Sequence, residues 1–487
     1  MKKTINNVTA LLIAIMAVVA CTDDFINVPS KNQNSEDFFN TKEDYESALI
    51  GAYDLLQSTY LNVLLGEIAS DNTLCGGENA NDVPGFQQVD DMIHTSSNLQ
   101  LRALWSRMYA GVNRTNYILE FQDKTSFSDK DNIIGQVKFL RAYYYFELVK
   151  WFGDVPMVID KRIQFGDQFN VGRTPKAEVY SQIQADLVDA ASKLPITQPT
   201  DGKVTRGAAL SLLGKVYLFQ EKFDEAAAEL EKVIESNTYS LVSNFGSIFE
   251  HEGENNSESV FEIQYTDTEG ASFDCLQCSS GNVAVGFSGI RSYDGPLFDS
   301  GFSFNVPTQD LVDAFENGDQ RKDVTILDIV AWAKTNGAKY AEGYEHTGYF
   351  NRKYLPRKGD KNMGDANLTN PNNYRSIRYA DVLLMAAEAY SKKSSPNESK
   401  AQNYLNQVRE RAGLLPVTIG GSVLTESIMK ERRVELAGEG HRFFDLVRTG
   451  EAENHIDGFV SNKHELFPIP LIEIELAGGR WEQNPGY

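Results

Sequence analysis

The residues best equipped for chemistry are scattered through this chain. Six histidines stand at positions 94, 251, 346, 441, 455 and 464. None forms an i, i+4 pair that would set two imidazoles on one helical face for a metal. Cys275 and Cys278 make a single CxxC, with no second CxxC and no clustered histidine to complete four zinc ligands. GxSxG, HExxH and P-loop motifs are absent. Glycoside hydrolysis needs two carboxylates facing each other across a cleft; with 68 acids such a pair is conceivable anywhere and marked nowhere. The stretch GEGHRFFDLVR at 438–448 has a catalytic look, but Arg442, Asp445 and Arg448 at i, i+3 spacing read better as a structural ion-pair net at a helix end.

What remains is binding chemistry, in two loop-rich stretches. The first clusters Asp71, Asn72, Asn79, Asn81 and Asp82, with Phe86 as a modest ring. The second carries Arg291, Tyr293, Asp294, Trp332, Tyr340 and Tyr344. Aromatic rings cover the apolar face of a ligand, and amide, carboxylate and guanidinium groups bond its polar rim. Such groups serve best on loops held by a rigid frame. Taken singly, each also fits ordinary loop packing or a turn.

The elements that must hold these loops are mostly helical. Tyr45, Ala48, Leu49, Ala52, Tyr53 and Leu56 fall at helical spacing, with Ser35 or Thr41 as the cap. Residues 65–98 read as one long polar loop, of the length that is usually functional. LQLRALWSRMYAGVNRTNYILEF and KDNIIGQVKFLRAYYYFELVKWFG are helical, the latter stopped at Gly153. Thr174 and Pro175 read as N-cap and first helical residue of the next helix. Leu213-Gly214, Tyr217, Ala226 and Leu230 then match the tetratricopeptide offsets, where small residues let two helices approach. Ala387, Tyr390, Ala401 and Leu405 form a looser copy, and Ala142 with Tyr145 a third start. The expectation is a mainly α fold: tetratricopeptide-like helical pairs forming a cradle at about 21–240 and 371–487, and a large loop-rich insert with minor β structure at about 241–370, all one domain after residue 20.

The start of the chain gives an address. Lys2 and Lys3 precede Val8–Val19, an apolar run broken only by Thr9. A helix of that length rises about 18 Å, too short to span a bilayer, and the pattern is a secretory signal. Val18-Val19-Ala20-Cys21 resembles a bacterial lipobox, so residues 1–20 are expected to be removed and Cys21 to carry palmitate-like acyl chains, two or more of which anchor stably. The formal charge is −22, and loss of Lys2 and Lys3 leaves −24. That surface repels phosphate backbones, so nucleic-acid binding is not expected. An exported chain could pair two of Cys75, Cys275 and Cys278, and sequence does not decide which. No cofactor is expected; the oxygen-rich SDN (70–72) and GDKNMGD (359–365) could hold a structural calcium, although no spacing matches an EF-hand.

The lipobox at Cys21, FLRAYYYFELVKWFGDVPMV, the repeat around Leu213–Val233, FNVPTQDLVDAFENGDQRKD, YFNRKYLP, RYADVLLMAAEA, LNQVRERAG, ERRVELAGEGHRFFDLVRTG and the terminal FPIP…QNPGY occur in one order over nearly the whole chain. Together they resemble the SusD/RagB family of surface lipoproteins that partner TonB-dependent transporters in nutrient uptake. The resemblance implies a non-enzymatic glycan-binding protein on the outer face of the outer membrane, with Thr22-Asp23-Asp24 acting as a surface-export signal. It further implies a SusC-like TonB-dependent transporter as partner, packed on the helical cradle, with oligo- or polysaccharide held by the irregular half. The weak basic content of both candidate loops favours a neutral polymer. Three rivals remain open: the same transporter role for a peptide or glycoprotein; a secreted polysaccharide hydrolase, which would reveal itself by release of reducing sugar; and a pure tetratricopeptide scaffold for protein partners, which would bind no small ligand.

Overall fold

The computed structural model describes residues 38–487 apart from 165, 168–169, 269–271, 274, 276–279 and 360–366. The leader, Cys21, Ser35, Cys278 and most of the GDKNMGD stretch lie outside the described residues. Helix α1 (Lys42–Asp54) starts at Thr41, whose hydroxyl accepts from the Asp44 N–H while the Asp44 carboxylate accepts from the Thr41 N–H, a reciprocal cap. Helix α2 (Tyr60–Ile68), strand β1 (Thr73–Leu74) and helix α3 (Pro84–Asp90) follow. The stretch read as one long loop is therefore more ordered than expected. Pro84 starts α3 where its missing N–H is harmless, and Phe86 and Val89 anchor it in the core.

The long pair α4 (Leu99–Glu120) and α5 (Lys130–Phe152) comes next. Helix α5 is buried on nearly every face, which is why AYYYF needs no polar stripe. It ends at Gly153, whose φ of +71° is one that L side chains rarely adopt. Helix α6 (Lys176–Lys193) begins one residue later than the sequence suggests. Pro175 is its extended N-cap, and Thr174 instead pairs with Val155 in a two-residue ladder. Helices α7 (Arg206–Leu218) and α8 (Phe223–Glu235) form the tetratricopeptide match; a Cβ on Gly214 would sit 2.5 Å from the buried Leu230 side chain.

Strand β2 (Ser259–Ile263) enters the insert, followed by β3 (Val306–Pro307), β4 (Ile326–Asp328), α9 (Ile329–Asn336) and β5 (Tyr349–Asn351). Strand β6 (Tyr374–Arg378) leaves it and leads directly into α10 (Tyr379–Lys392), α11 (Glu398–Arg411), α12 (Gly421–Glu435) and α13 (Arg442–Thr449). The ladders are two-stranded: β1 with β3, β2 with β6 and β4 with β5 are antiparallel, and Ile290–Arg291 pairs in parallel with Ser300–Gly301. Along the frame α4 packs on α5, α5 on α6, α6 on α7, α7 on α8, α8 on α10, and α10 on α11 and α12. The protein is mainly α, with helical pairs and minor sheet, as its sequence suggests. Its principal core runs from Phe39 to Trp481, with two smaller apolar clusters around the insert. Among the described residues no helix is long and apolar enough to cross a membrane.

Charge is buried where the insert joins the frame. The Arg378 guanidinium lies 2.6 Å from Glu258, 2.9 Å from Glu435 and 2.8 Å from Glu439. Arg411 adds Glu258 and Glu435, Arg321 adds Asp319, Glu431 and Glu435, and Lys353 reaches Glu439 at 2.7 Å. Burial alone would raise these carboxylate pKa values; the surrounding cations hold Glu435 and Glu439 below the usual range. The net expected at GEGHRFFDLVR is present in altered form. Arg448 pairs with Asp445 at 2.8 Å and Glu388 at 2.7 Å, and Arg432 with Asp445 at 3.0 Å, but Arg442 turns away to Asp71.

Candidate functional site

The two candidate stretches, separated by some 200 residues, meet at one surface. The Gly77 N–H donates to the Ser303 carbonyl at 2.9 Å, and the Tyr344 N–H donates to the Gly77 carbonyl at 2.9 Å. Arg291 donates to the Asp82 carboxylate at 3.0 Å, to the Phe302 carbonyl at 2.9 Å and to the Ser303 hydroxyl at 3.3 Å. The Arg291 carbonyl in turn accepts from Ala341 at 2.9 Å, and Asp294 and Lys339 exchange a pair of backbone hydrogen bonds. Three loops, 75–82, 289–304 and 339–345, are thus stitched through backbone groups. Gly76 is required at the seam, because a Cβ there would collide with the Ser303 carbonyl oxygen.

The loop tip is a compact turn. The Asn79 side chain accepts from the Asn81 N–H at 2.9 Å, its carbonyl accepts from the Asp82 N–H at 2.9 Å, and the Asp82 carboxylate accepts from the Glu78 N–H at 2.8 Å. Asn81 and Asp294 are exposed, and Tyr340 and Tyr344 are half-exposed. Glu345 hydrogen-bonds the Tyr344 hydroxyl and raises its pKa, so the ring stays a neutral phenol.

Four of the residues proposed from sequence to touch ligand are instead structural. Asp71 accepts two bonds of 2.7 Å from Arg442 and lies 3.2 Å from Arg433, so its oxygens face guanidiniums rather than solvent. That also removes it as a calcium ligand, and no group of three or more His, Cys, Asp or Glu able to hold a metal occurs among the described residues. Asn72 is fully buried and accepts from Arg433 at 2.8 Å. Phe86 is a core ring, edge-on to Phe287 at 5.6 Å and to Phe304 at 5.4 Å. Tyr293 is buried in the insert's own apolar cluster; it accepts from the Trp332 indole N–H at 2.8 Å and donates to the Pro296 carbonyl at 2.8 Å. Trp332 is half committed to that cluster, with its ring 5.3 Å from Phe298. Burial is a tertiary property, and nothing in an Asn- and Asp-rich string tells which members turn inward.

Other residues of this surface were not singled out from sequence. Phe273 is 56 % exposed with its ring 5.6 Å from Phe302, and Glu345 neighbours Tyr344. An aromatic in a Ser/Gly-rich loop was the available signal for Phe273. Cys75 is a free, buried thiol, and Cys275 is in a disulfide.

Asp90 lies under the seam and accepts from the Cys75 N–H at 2.8 Å. Burial, reinforced by Asp91 and Glu345, pushes its pKa up to about 8. A carboxyl that binds its proton more tightly when folded stabilises the fold below pH 3.8, and that contribution is lost as pH rises through about 8. Asp90→Asn keeps an acceptor for Cys75 and removes the titration. We predict that the parent loses stability between about pH 4 and about pH 8 more steeply than the variant, as measured by urea unfolding at each pH; parallel curves would refute this.

The comparisons with known proteins agree over almost the whole chain. A family profile described as "SusD family" matches residues 327–487, and one described as "Starch-binding associating with outer membrane" matches residues 24–218. The chain is 27 % identical to SusD-like protein P2 of Formosa agariphila over 98 % of each chain. It is 33 % identical to a solved laminarin binding SusD-like protein, covering 92 % of this chain and 100 % of the other with a TM-score of 0.83. It is 26 % identical to surface glycan-binding protein A from Bacteroides thetaiotaomicron, solved in complex with laminarihexaose, covering 91 % and 100 % with a TM-score of 0.81. With these matches over nearly the whole chain, this chain belongs to the SusD family.

Proposed function

We propose that this protein is a cell-surface glycan-binding lipoprotein, a single domain from Cys21 onward, held at the outer face of the outer membrane by acyl chains on that cysteine. It captures a neutral, laminarin-type glucan and passes it to a SusC-like TonB-dependent transporter without cutting it. The observation that carries the glycan reading is the stitched surface, where Tyr344, Asn81, Asp82 and Arg291 converge from three loops. Tyr340, Trp332, Asp294 and Phe273 lie on the same loops or beside them and extend the aromatic and polar rim. Rings with a few convergent polar groups suit sugar faces and hydroxyls. The likeness to a laminarin binding protein and to a laminarihexaose complex supports this class of ligand. Arg291 is tied to Asp82, so among the described residues this guanidinium is not left free for an anionic polymer.

Isothermal titration with laminarin, a starch, a sulfated glycan and a peptide digest tests the proposal. Saturable heat with laminarin alone is expected, with no reducing sugar released on prolonged incubation. Heat only with the digest would move the cargo to peptides, and sugar release would replace the binding role with a hydrolase.

A further inference from the structure

The GEGHR segment shows no catalytic arrangement, yet it is buried and richly bonded, and its partners lie at the root of the ligand loop. Glu67, in the last turn of α2, is fully buried and accepts from the Gly440 N–H at 2.6 Å and the Gly438 N–H at 3.2 Å. Gly438 and Gly440 have φ of +84° and +81°, which lets these two alternate amides converge on one carboxylate. Four residues on, Asp71 meets Arg442 in the two-bond pair already described, with Arg433 at 3.2 Å and His455 at 3.7 Å. Arg433 also donates to Asn72 at 2.8 Å, and the Asn72 carbonyl accepts from the Thr308 N–H at 2.9 Å. Beyond this root the chain runs through β1 straight to Gly76, Gly77 and Asp82.

The other side of the clamp is rigid. Arg442 opens α13, and Asp445 on the same helix is held by Arg432 of α12. Arg448, one turn on, is held by Glu388 of α10 at 2.7 Å. A planar, two-bond guanidinium–carboxylate pair fixes orientation as well as distance. Bonded in this way, the loop root inherits the position of three packed helices.

We propose that Arg442 is a positioning residue for the ligand surface: through Asp71 it fixes the root of 73–82, and so the place at which Asp82 meets Arg291 and Gly77 meets Tyr344. This rests on the glycan reading for its binding consequence, but not for its structural one. Arg442 does not line the surface and touches no ligand.

The test compares the parent with Arg442→Gln, Asp71→Asn, the double variant and Arg442→Lys. Laminarin affinity is measured by calorimetry, and amide exchange is mapped across the chain. Each single neutral change is expected to weaken laminarin about tenfold, with the double variant no weaker than the worse single, because both break one contact. Lysine cannot form the two-bond pair and should rescue only in part. Amides of 73–82 should lose protection while those of α11 keep theirs. Affinity within twofold of the parent, or protection lost evenly over the chain, would overturn the proposal. Should Arg442→Gln fail to fold, Asp71→Asn decides, since it keeps the side-chain shape and leaves Arg442 in place. If the parent binds no laminarin, the glycan reading falls, and unchanged exchange at 73–82 in Arg442→Gln would separately refute the positioning role.

Discussion

Arg378→Met is expected to cost about 3–5 kcal/mol of stability, because it strands buried carboxylates rather than removing a pair. Arg378 is 1 % exposed and bonded to Glu258, Glu435 and Glu439. Arg411, Arg321 and Lys353 still neutralise part of that charge, so loss is not total. The remaining acids would relieve the repulsion by binding protons, and the variant should therefore be least stable at high pH. Urea unfolding followed by tryptophan fluorescence at pH 6 and pH 9 measures both. A cost below about 1 kcal/mol at both values would show that the network is replaceable packing. The position matters because Arg378 ends β6, which carries the chain out of the insert and into α10.

Tyr344→Ala is expected to weaken laminarin binding about tenfold while leaving unfolding almost unchanged. The ring is half-exposed at the seam of three loops, and its backbone N–H, which the substitution keeps, makes the bond to Gly77. Removing the side chain therefore deletes ring contact without unstitching the surface. Trp332→Ala is a poorer probe, since it also strips Phe298 of a neighbour and Tyr293 of a donor. If the cargo is instead a peptide, Tyr344→Ala should leave its uptake untouched. Equal laminarin affinity in parent and variant would remove Tyr344 from the surface.

Much of the frame was legible because helices announce themselves locally. The spacing of Leu213-Gly214, Tyr217, Ala226 and Leu230 corresponds to a real helix pair, with Gly214 facing Leu230 at contact distance. Ala387, Ala401 and Leu405 are fully buried in the looser copy. Thr174 was misplaced because a Thr-Pro pair suits either a cap or an extended strand, and the ladder with Val155 decides between them. The loop at 65–98 hid α2's end and α3 because short helices gain little from propensity and much from the core they touch. The site was legible only as regions. Asp71 and Asp82 are alike in sequence, but one meets Arg442 and the other Arg291.

By itself, the amino-acid sequence determined the family, the helical frame with its irregular insert, and the absence of a catalytic motif. Those are carried by local periodicity and by ordered motifs, which need no knowledge of distant contacts. Tertiary structure alone decided that two stretches 200 residues apart form one surface, that four of its named members face inward, and that GEGHR holds the loop root. Each of those depends on which groups meet across the fold, and a carboxylate or a ring has no inside or outside until its neighbours arrive.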